Sequence, residues 1–328
     1  LQEQFTEGCM RPVPDGPGMT GVQAARLWEQ IVPFSGYGFN QGHATAYADV
    51  SYRCAYLKTY YPAEFLAARL QVLGGFYHPA VYMAEAIRLG IPVRPPHVNY
   101  SGTRFTLVAG ATLYMGLGQV RDLRDSAARA IVAARRDAPY DGLRDLLSRV
   151  DLQPKEVEHL IRCGALDGLG ERASLLGEAE LLRRHGGVSQ LAFDFAQPTA
   201  APEPLSQRWA WEHELLGLPV SALGDPLALV KDRLPAHEPL AEVVATPGRS
   251  VVTAGVRLPG WTGGPSFLLF DGERFVPVRT ARGSKSPAAW RPLLVRGRWI
   301  VDEWGCGWLQ AAQVDPVQGM PQLLPGPK

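Results

Sequence analysis

Apolar positions recur at steps of three and four through much of the first two thirds of this chain, then give way to short alternating runs. The first pattern is that of helices packed on one face, the second that of strands. Val22, Ala25, Leu27, Trp28 and Ile31 mark a helix over Thr20–Val32; Tyr47, Val50, Cys54 and Leu57 share one face of another that starts at His43. Pro62 closes that second helix, because the residue before a proline avoids the α region, and it can open the next as its first residue. Helices follow over Ala63–Leu73, stopped by Gly74-Gly75, and over Pro79–Leu89, ended by Gly90. Ile91–Asn99 holds too many prolines for a central strand and reads as an extended surface segment. Phe105–Val108 and Thr112–Met115 predict a β-hairpin turning at Ala109-Gly110.

Two helical units come next, Gly116–Arg135 and Lys155–Leu176. In the second, Val157, Leu160 and Ile161 form a stripe that leads into a glycine-rich turn, where Gly168 and Gly170 flank Leu169, before helix resumes over Glu171–Leu182. From Arg183 to Gln207 the chain becomes an Ala/Pro-rich flexible linker. A short apolar peptide, Gln190-Leu191-Ala192-Phe193-Asp194-Phe195, is set into it. Exposed leucine and phenylalanine cost free energy in water, so this peptide must dock, either on its own domain or on a partner. Strands are predicted over Ser250–Leu258, Phe267–Phe270, Phe275–Val278, Leu293–Val301 and Trp308–Val314, a set that suits a small barrel. The tail from Asp315 is rich in Pro, Gly and Gln and reads as disordered.

With 328 residues the chain can hold two or three domains. Its net charge of +1 gives no global electrostatic case for nucleic acid. Cys9, Cys54, Cys163 and Cys306 lie singly, with no C-x-x-C pair, so neither a zinc site nor a disulfide framework is predicted and a reducing cytoplasm fits. No apolar run approaches the roughly 18 residues of a membrane span. The chain opens at Leu1 without an initiator methionine and reads as a piece of a longer polypeptide or as one half of a split gene.

The candidate chemistry begins at Ser35–Gly42, where Gly36, Gly38 and Gly42 let the backbone approach a ligand. His43 follows in the first turn of a helix, whose unpaired N–H groups and dipole favour an anion. A histidine so placed serves either as a satisfied structural residue or as a ligand for phosphate.

The string Tyr-Gly-Phe-Asn-x-x-His-Ala-x-Ala-Tyr at Tyr37–Tyr47, then Val-Ser-Tyr, then Ala-Tyr-Leu-Lys-x-x-Tyr-Pro-Ala-Glu-Phe ending at Phe65, resembles the fingers-domain signature of the bacterial C-family DNA polymerases. That family contains the replicative polymerase III alpha subunit and its error-prone relatives; the run Gly74–Ala80 leans toward the latter. The resemblance implies a multidomain chain, mainly α, followed by a small all-β OB-like barrel. Residues 1–100 would end the fingers, 101–182 form a helix-hairpin-helix domain, and 183–207 a linker with a clamp-binding peptide. Residues 208–240 would be a helical connector, 241–314 the OB-like domain and 315–328 the tail.

By the same resemblance His43 contacts the triphosphate of the incoming dNTP, Tyr47 lines the nascent base pair, Asn40 shapes the loop and Lys58 meets DNA or phosphate. The family usually carries a lysine and a serine where this chain has Gln41 and Gly42. In the first hairpin the family's glycine, apolar residue, glycine is replaced by Asp122-Leu123-Arg124, so a carboxylate stands where a DNA phosphate would approach. Arg121 and Arg124 are the substitute cations there. The second hairpin keeps Gly168 and Gly170 and, with Arg172, is the stronger DNA candidate. Gln190, Leu191, Phe193 and Phe195 resemble the peptide with which bacterial polymerases bind the sliding clamp. In the barrel, aromatic residues such as Trp290, Trp299, Trp304 and Trp308, together with Arg274, Arg279, Arg282, Lys285, Arg291, Arg296 and Arg298, suit either a core or a single-strand platform.

Two-metal nucleotidyl transfer needs paired carboxylates. In the family these belong to the palm, upstream of this sequence, so no catalytic residue and no metal site is assigned here; Mg²⁺ is expected with the missing palm. The implied function is the downstream part of a template-directed DNA polymerase, with DNA, dNTP, the sliding clamp and a palm-bearing half as partners and no membrane. It is not expected to polymerise alone. The alternative is a non-catalytic DNA and clamp adaptor, or a decayed polymerase paralogue.

Overall fold

The computed structural model describes residues 1–35, 40–72, 74–108, 111–184, 201–260 and 265–317. It divides into two compact units, Leu1–Tyr60 and Tyr61–Lys328.

In the first unit α1 (Gln2–Met10) packs on α2 (Gly21–Ser35), with the rings of Phe5 and Trp28 5.3 Å apart. Thr20 opens α2 reciprocally: its Oγ1 accepts the Gln23 N–H, and Gln23 Oε1 accepts the Thr20 N–H. The third helix, α3 (Gln41–Tyr60), begins two residues before the expected His43 and ends where Pro62 requires. Its apolar stripe is not buried, however. Tyr47, Val50, Cys54 and Leu57 are exposed, and Tyr52, Tyr56 and Tyr60 are exposed on the opposite side. Aromatic residues on both sides blunt the amphipathic signal, because a single apolar stripe needs a polar opposite face.

In the second unit α4 (Pro62–Val72) turns Ala63, Leu66, Ala67 and Leu70 inward, and α5 (Pro79–Arg88) ends at Gly90, whose φ of +77° suits glycine. The segment expected to lie on the surface is instead packed down: Ile91, Pro96 and Val98 are buried. Its Val93–Arg94 forms β1, which pairs in parallel with β3 (Thr112–Tyr114); β2 (Thr106–Val108) pairs antiparallel on the other side of β3. The neighbouring prolines are tolerated because β1 is an edge strand. The turn residues 109–110 lie outside the described residues.

Four helices follow: α6 (Asp125–Ala134), α7 (Leu143–Arg149), α8 (Pro154–Arg162) and α9 (Arg172–Arg184). The chain resumes with α10 (Leu205–Leu216), then α11 (Leu240–Ala245), and enters a closed five-stranded barrel. Its strands are β4 (Ser250–Arg257), β5 (Ser266–Phe270), β6 (Phe275–Arg279), β7 (Pro292–Val301) and β8 (Gly307–Pro316), in the order β4-β5-β6-β8-β7 with β6 and β8 parallel. All five predicted strands are present, and the fold is the expected helical region followed by an OB-like barrel. Asp315 and Pro316, assigned to the tail by sequence, pair with Leu294 and Leu293 and complete β8.

Alternation along the strands explains why β5 reads as an unbroken apolar run. Phe267 and Leu269 fill the barrel with Val278, Val295 and Leu309, while Leu268 and Phe270 join Ala254, Val256 and Leu294 in the core that continues through the helices. Both faces of β5 are therefore buried.

Candidate nucleotide and nucleic-acid sites

At the start of α3 the Asn40 Oδ1 accepts the His43 N–H at 3.0 Å, and the Asn40 carbonyl accepts the Ala44 N–H at 2.9 Å. Asparagine is among the best residues for this capping position, since its short side chain satisfies a donor the helix cannot. The His43 ring lies 4.3 Å from that of Tyr47, centroid to centroid, one turn later. Asn40, His43 and Tyr47 thus form one exposed group. Lys58 does not belong to it: fifteen residues further along the same helix, it stands roughly 22 Å away along the axis. A Cβ added at Gly42 would find only Asn40 Oδ1, at 3.9 Å, so a side chain fits there. Residues 36–39 of the glycine-rich loop lie outside the described residues.

The first hairpin keeps the geometry of its lost glycine while changing the chemistry. Asp122 takes φ +60°, the left-handed region that asparagine and aspartate tolerate better than other side chains, and its carboxylate meets Lys155 Nζ at 2.8 Å. Two residues later Arg124, itself exposed, binds back to the protein. Its backbone N–H and Nε both donate to Glu156 Oε1, at 2.9 and 2.8 Å, and its Nη2 donates to Glu156 Oε2 at 2.9 Å and to the Asp151 carbonyl at 3.1 Å. Glu156 has a side-chain exposure of 1% and also accepts the Gln153 N–H. The Arg124 guanidinium holds its carboxyl well below the usual range, at about 2. A protein carboxylate therefore occupies the Arg124 donors. Arg121 remains exposed and has no ion pair among the described residues. Its backbone joins α10 through Leu215 and α8 through His159.

The second hairpin differs. Gly168, at φ +89°, and Gly170 are exposed, and Leu169 between them closes the turn onto the Leu166 carbonyl at 3.0 Å. Arg172 does not share that exposure. At 2% it is enclosed, donating to Asp167 Oδ1 and Oδ2 at 2.7 and 2.6 Å, to the Arg162 carbonyl at 2.9 Å and to Glu212 Oε1 at 3.3 Å. Its donors are taken by protein groups. Burial lowers the guanidinium's pKa, yet the Asp167 and Glu212 carboxylates hold it above its ordinary value. No local sequence signal pointed to the Glu156–Arg124 or Glu212–Arg172 contacts, because they join residues 32 and 40 positions apart.

The peptide Gln190, Leu191, Phe193 and Phe195 lies outside the described residues. In the barrel Trp290 and Trp299 are buried, as core tryptophans are. Trp308 is half-buried under the Arg279 guanidinium, 3.9 Å from its ring centroid, and Trp304 stands 83% exposed at the β7–β8 turn. The parallel pairing of β6 with β8 makes the Arg279–Trp308 stack, which no local pattern predicts. Arg296 is paired with Asp315 at 2.8 Å.

Comparison with known proteins follows the same lines. The helix-hairpin-helix motif family matches residues 90–175. The DNA polymerase III alpha subunit of Thermus aquaticus is 40% identical over 241 residues, 67% of this chain and 19% of that one. That of Halalkalibacterium halodurans is 30% identical over 329 aligned positions, 93% of this chain and 27% of that one. The chain belongs to the bacterial C-family DNA polymerases. An error-prone DNA polymerase of Corynebacterium efficiens is similar as well, 32% identical over 289 residues, 83% of this chain and 26% of that polymerase. The chain therefore spans about a fifth to a quarter of the length of the relatives it matches. Among the described residues of this polymerase segment no three His, Cys, Asp or Glu groups converge to hold a metal, so no step through Mg²⁺ is assigned to them. None of its described helices is long and apolar enough to cross a membrane.

Proposed function

We propose that this chain is the nucleotide-gripping, DNA-holding and clamp-tethering part of a template-directed DNA polymerase whose catalytic aspartates and Mg²⁺ lie in a palm on the same or another polypeptide. The observation that carries the reading is the Asn40–His43–Tyr47 group in a chain of this family: a capped helix start with an imidazole and a phenol in contact on its exposed side. An imidazolium there neutralises charge developing on the leaving pyrophosphate, and the Tyr47 ring supplies an apolar wall with a polar tip for the nascent base pair. Lys58, far along α3, meets DNA rather than the same triphosphate.

The second hairpin is the backbone-to-phosphate contact, supported by the exposure of Gly168 and Gly170. The first hairpin is structural, because Glu156 fills its donors; Arg121 is the cation it leaves for DNA. Gln190, Leu191, Phe193 and Phe195 dock in apolar pockets of the sliding clamp. Primer extension by a complete polymerase carrying this segment tests the reading. His43→Ala and Tyr47→Phe are expected to impair nucleotide incorporation, and undiminished incorporation in both counts against it.

A further inference from the structure

We propose that Arg172 is a positioning residue that shapes the Gly168–Gly170 hairpin for a DNA phosphate without touching DNA, and that fastens the chain emerging after residue 200 to that hairpin. The inference rests on the reading of this hairpin as a phosphate contact.

The geometry is that of a hub behind the turn. The guanidinium fork is bidentate to Asp167, the residue directly before Gly168, and caps the end of α8 through the Arg162 carbonyl. Its Nη2 continues to Glu212 on α10, which also accepts the Ser221 N–H at 2.8 Å and is fully enclosed. Its Nε lies 3.8 Å from Glu203, which in turn binds Arg208 at 3.0 Å. Four residues from two stretches of chain thus meet at one cation. Only a planar, five-donor group satisfies them together; a lysine ammonium keeps the charge and loses the fork. Space is also fixed on the near side: a Cβ at Gly164, which has φ +87°, would clash with Arg172 Nη2, so the turn closes directly on the guanidinium. The Asp167 carbonyl meanwhile receives His97 Nε2 at 2.9 Å, so the residue entering the hairpin is held from two sides.

Charge logic separates positioning from contact. A cation that neutralises a phosphate contributes about 0.9 to the slope of log affinity against log salt, and its loss lowers that slope. A buried residue that only shapes the backbone changes affinity and leaves the slope alone. Asp167 gives the sharper contrast. Removing a carboxylate beside a DNA-binding turn tightens binding if its charge is all that matters, and weakens binding if the carboxylate holds the fork that holds the turn.

The test is fluorescence anisotropy of the whole chain with a labelled blunt DNA duplex across a salt series. Arg172→Gln, which removes both the charge and the fork, is expected to raise Kd about tenfold, the cost of one charge-assisted hydrogen bond, with the salt slope unchanged. Asp167→Asn, on a half-exposed side chain and so less demanding of the fold, is expected to raise Kd about fivefold despite the lost negative charge. The proposal is overturned if Arg172→Gln lowers the slope by about 0.9 or if Asp167→Asn binds as tightly as the parent or tighter. Gly168→Val, which strains the turn at positive φ, reports on the hairpin reading itself. If it binds DNA normally, the hairpin is not the phosphate contact, whatever Arg172 does; if it weakens binding and Asp167→Asn does not, only the positioning role is lost.

Discussion

Glu156 Oε1 accepts the backbone N–H of Arg124 at 2.9 Å and its Nε at 2.8 Å, so one buried carboxylate closes the first hairpin from inside. The family's glycine-based hairpin leaves such donors for DNA; here they are spent within the protein. Glu156→Gln keeps the shape and loses the charge, and is expected to destabilise the chain by roughly 2 kcal/mol while leaving duplex affinity within about twofold. Denaturant unfolding and anisotropy check the two halves of that statement.

The same bond makes stability depend on pH in a defined direction. The Glu156 carboxyl, ordinarily near 4.5, is held at about 2 by Arg124. A depressed folded-state value means that the contribution is complete above about pH 4.5 and is lost as pH falls toward about 2. The stability difference between the parent and Glu156→Gln is therefore expected to shrink across that acid range and to stay constant from about pH 5 to pH 7. A gap that is flat across the acid range would contradict the ion pair.

Asp122 holds φ +60° where a glycine would be at ease, and its compensation is a partly exposed pair with Lys155. Pairs of that kind contribute little. Asp122→Gly is accordingly expected to leave stability unchanged or to raise it slightly. A clear loss of stability, read from the denaturation midpoint, would show that the Lys155 pair outweighs the backbone strain.

What the sequence made legible follows from how local each signal is. The barrel strands were read within a residue or two, because alternation and bounding turns are written inside each strand. The α3–α4 boundary at Pro62 was equally local. The surface reading of Ile91–Asn99 failed because proline count reports on hydrogen bonding, not on burial, and this segment lies against the core at an edge. The burial of Arg172 was not legible for a related reason. An arginine beside a glycine hairpin looks like a phosphate ligand until Asp167, Glu203 and Glu212 converge on it, and only the tertiary fold brings them there.

Gln41 and Gly42 are the two departures from the family nearest to His43. Gly42 has room for a side chain, and any helical position gains from losing a glycine. Gln41→Lys with Gly42→Ser is expected to lower the KM for dNTP severalfold in a complete polymerase carrying this segment, about 1 kcal/mol of added phosphate contact. An unchanged KM would indicate that the start of α3 does not face the triphosphate.

The clamp assignment has its own test. A pull-down of the sliding clamp by the chain is expected to be lost when Gln190, Leu191 and Phe195 are changed together to alanine; full retention would place the contact elsewhere.

The central claim is that His43 grips the incoming nucleotide, and single-turnover extension with titrated dNTP measures it most directly. In a complete polymerase carrying this segment, His43→Ala is expected to raise the dNTP dissociation constant about tenfold and to slow the saturating rate, with primer–template affinity unchanged. A dissociation constant and a rate both equal to those of the parent would contradict the account.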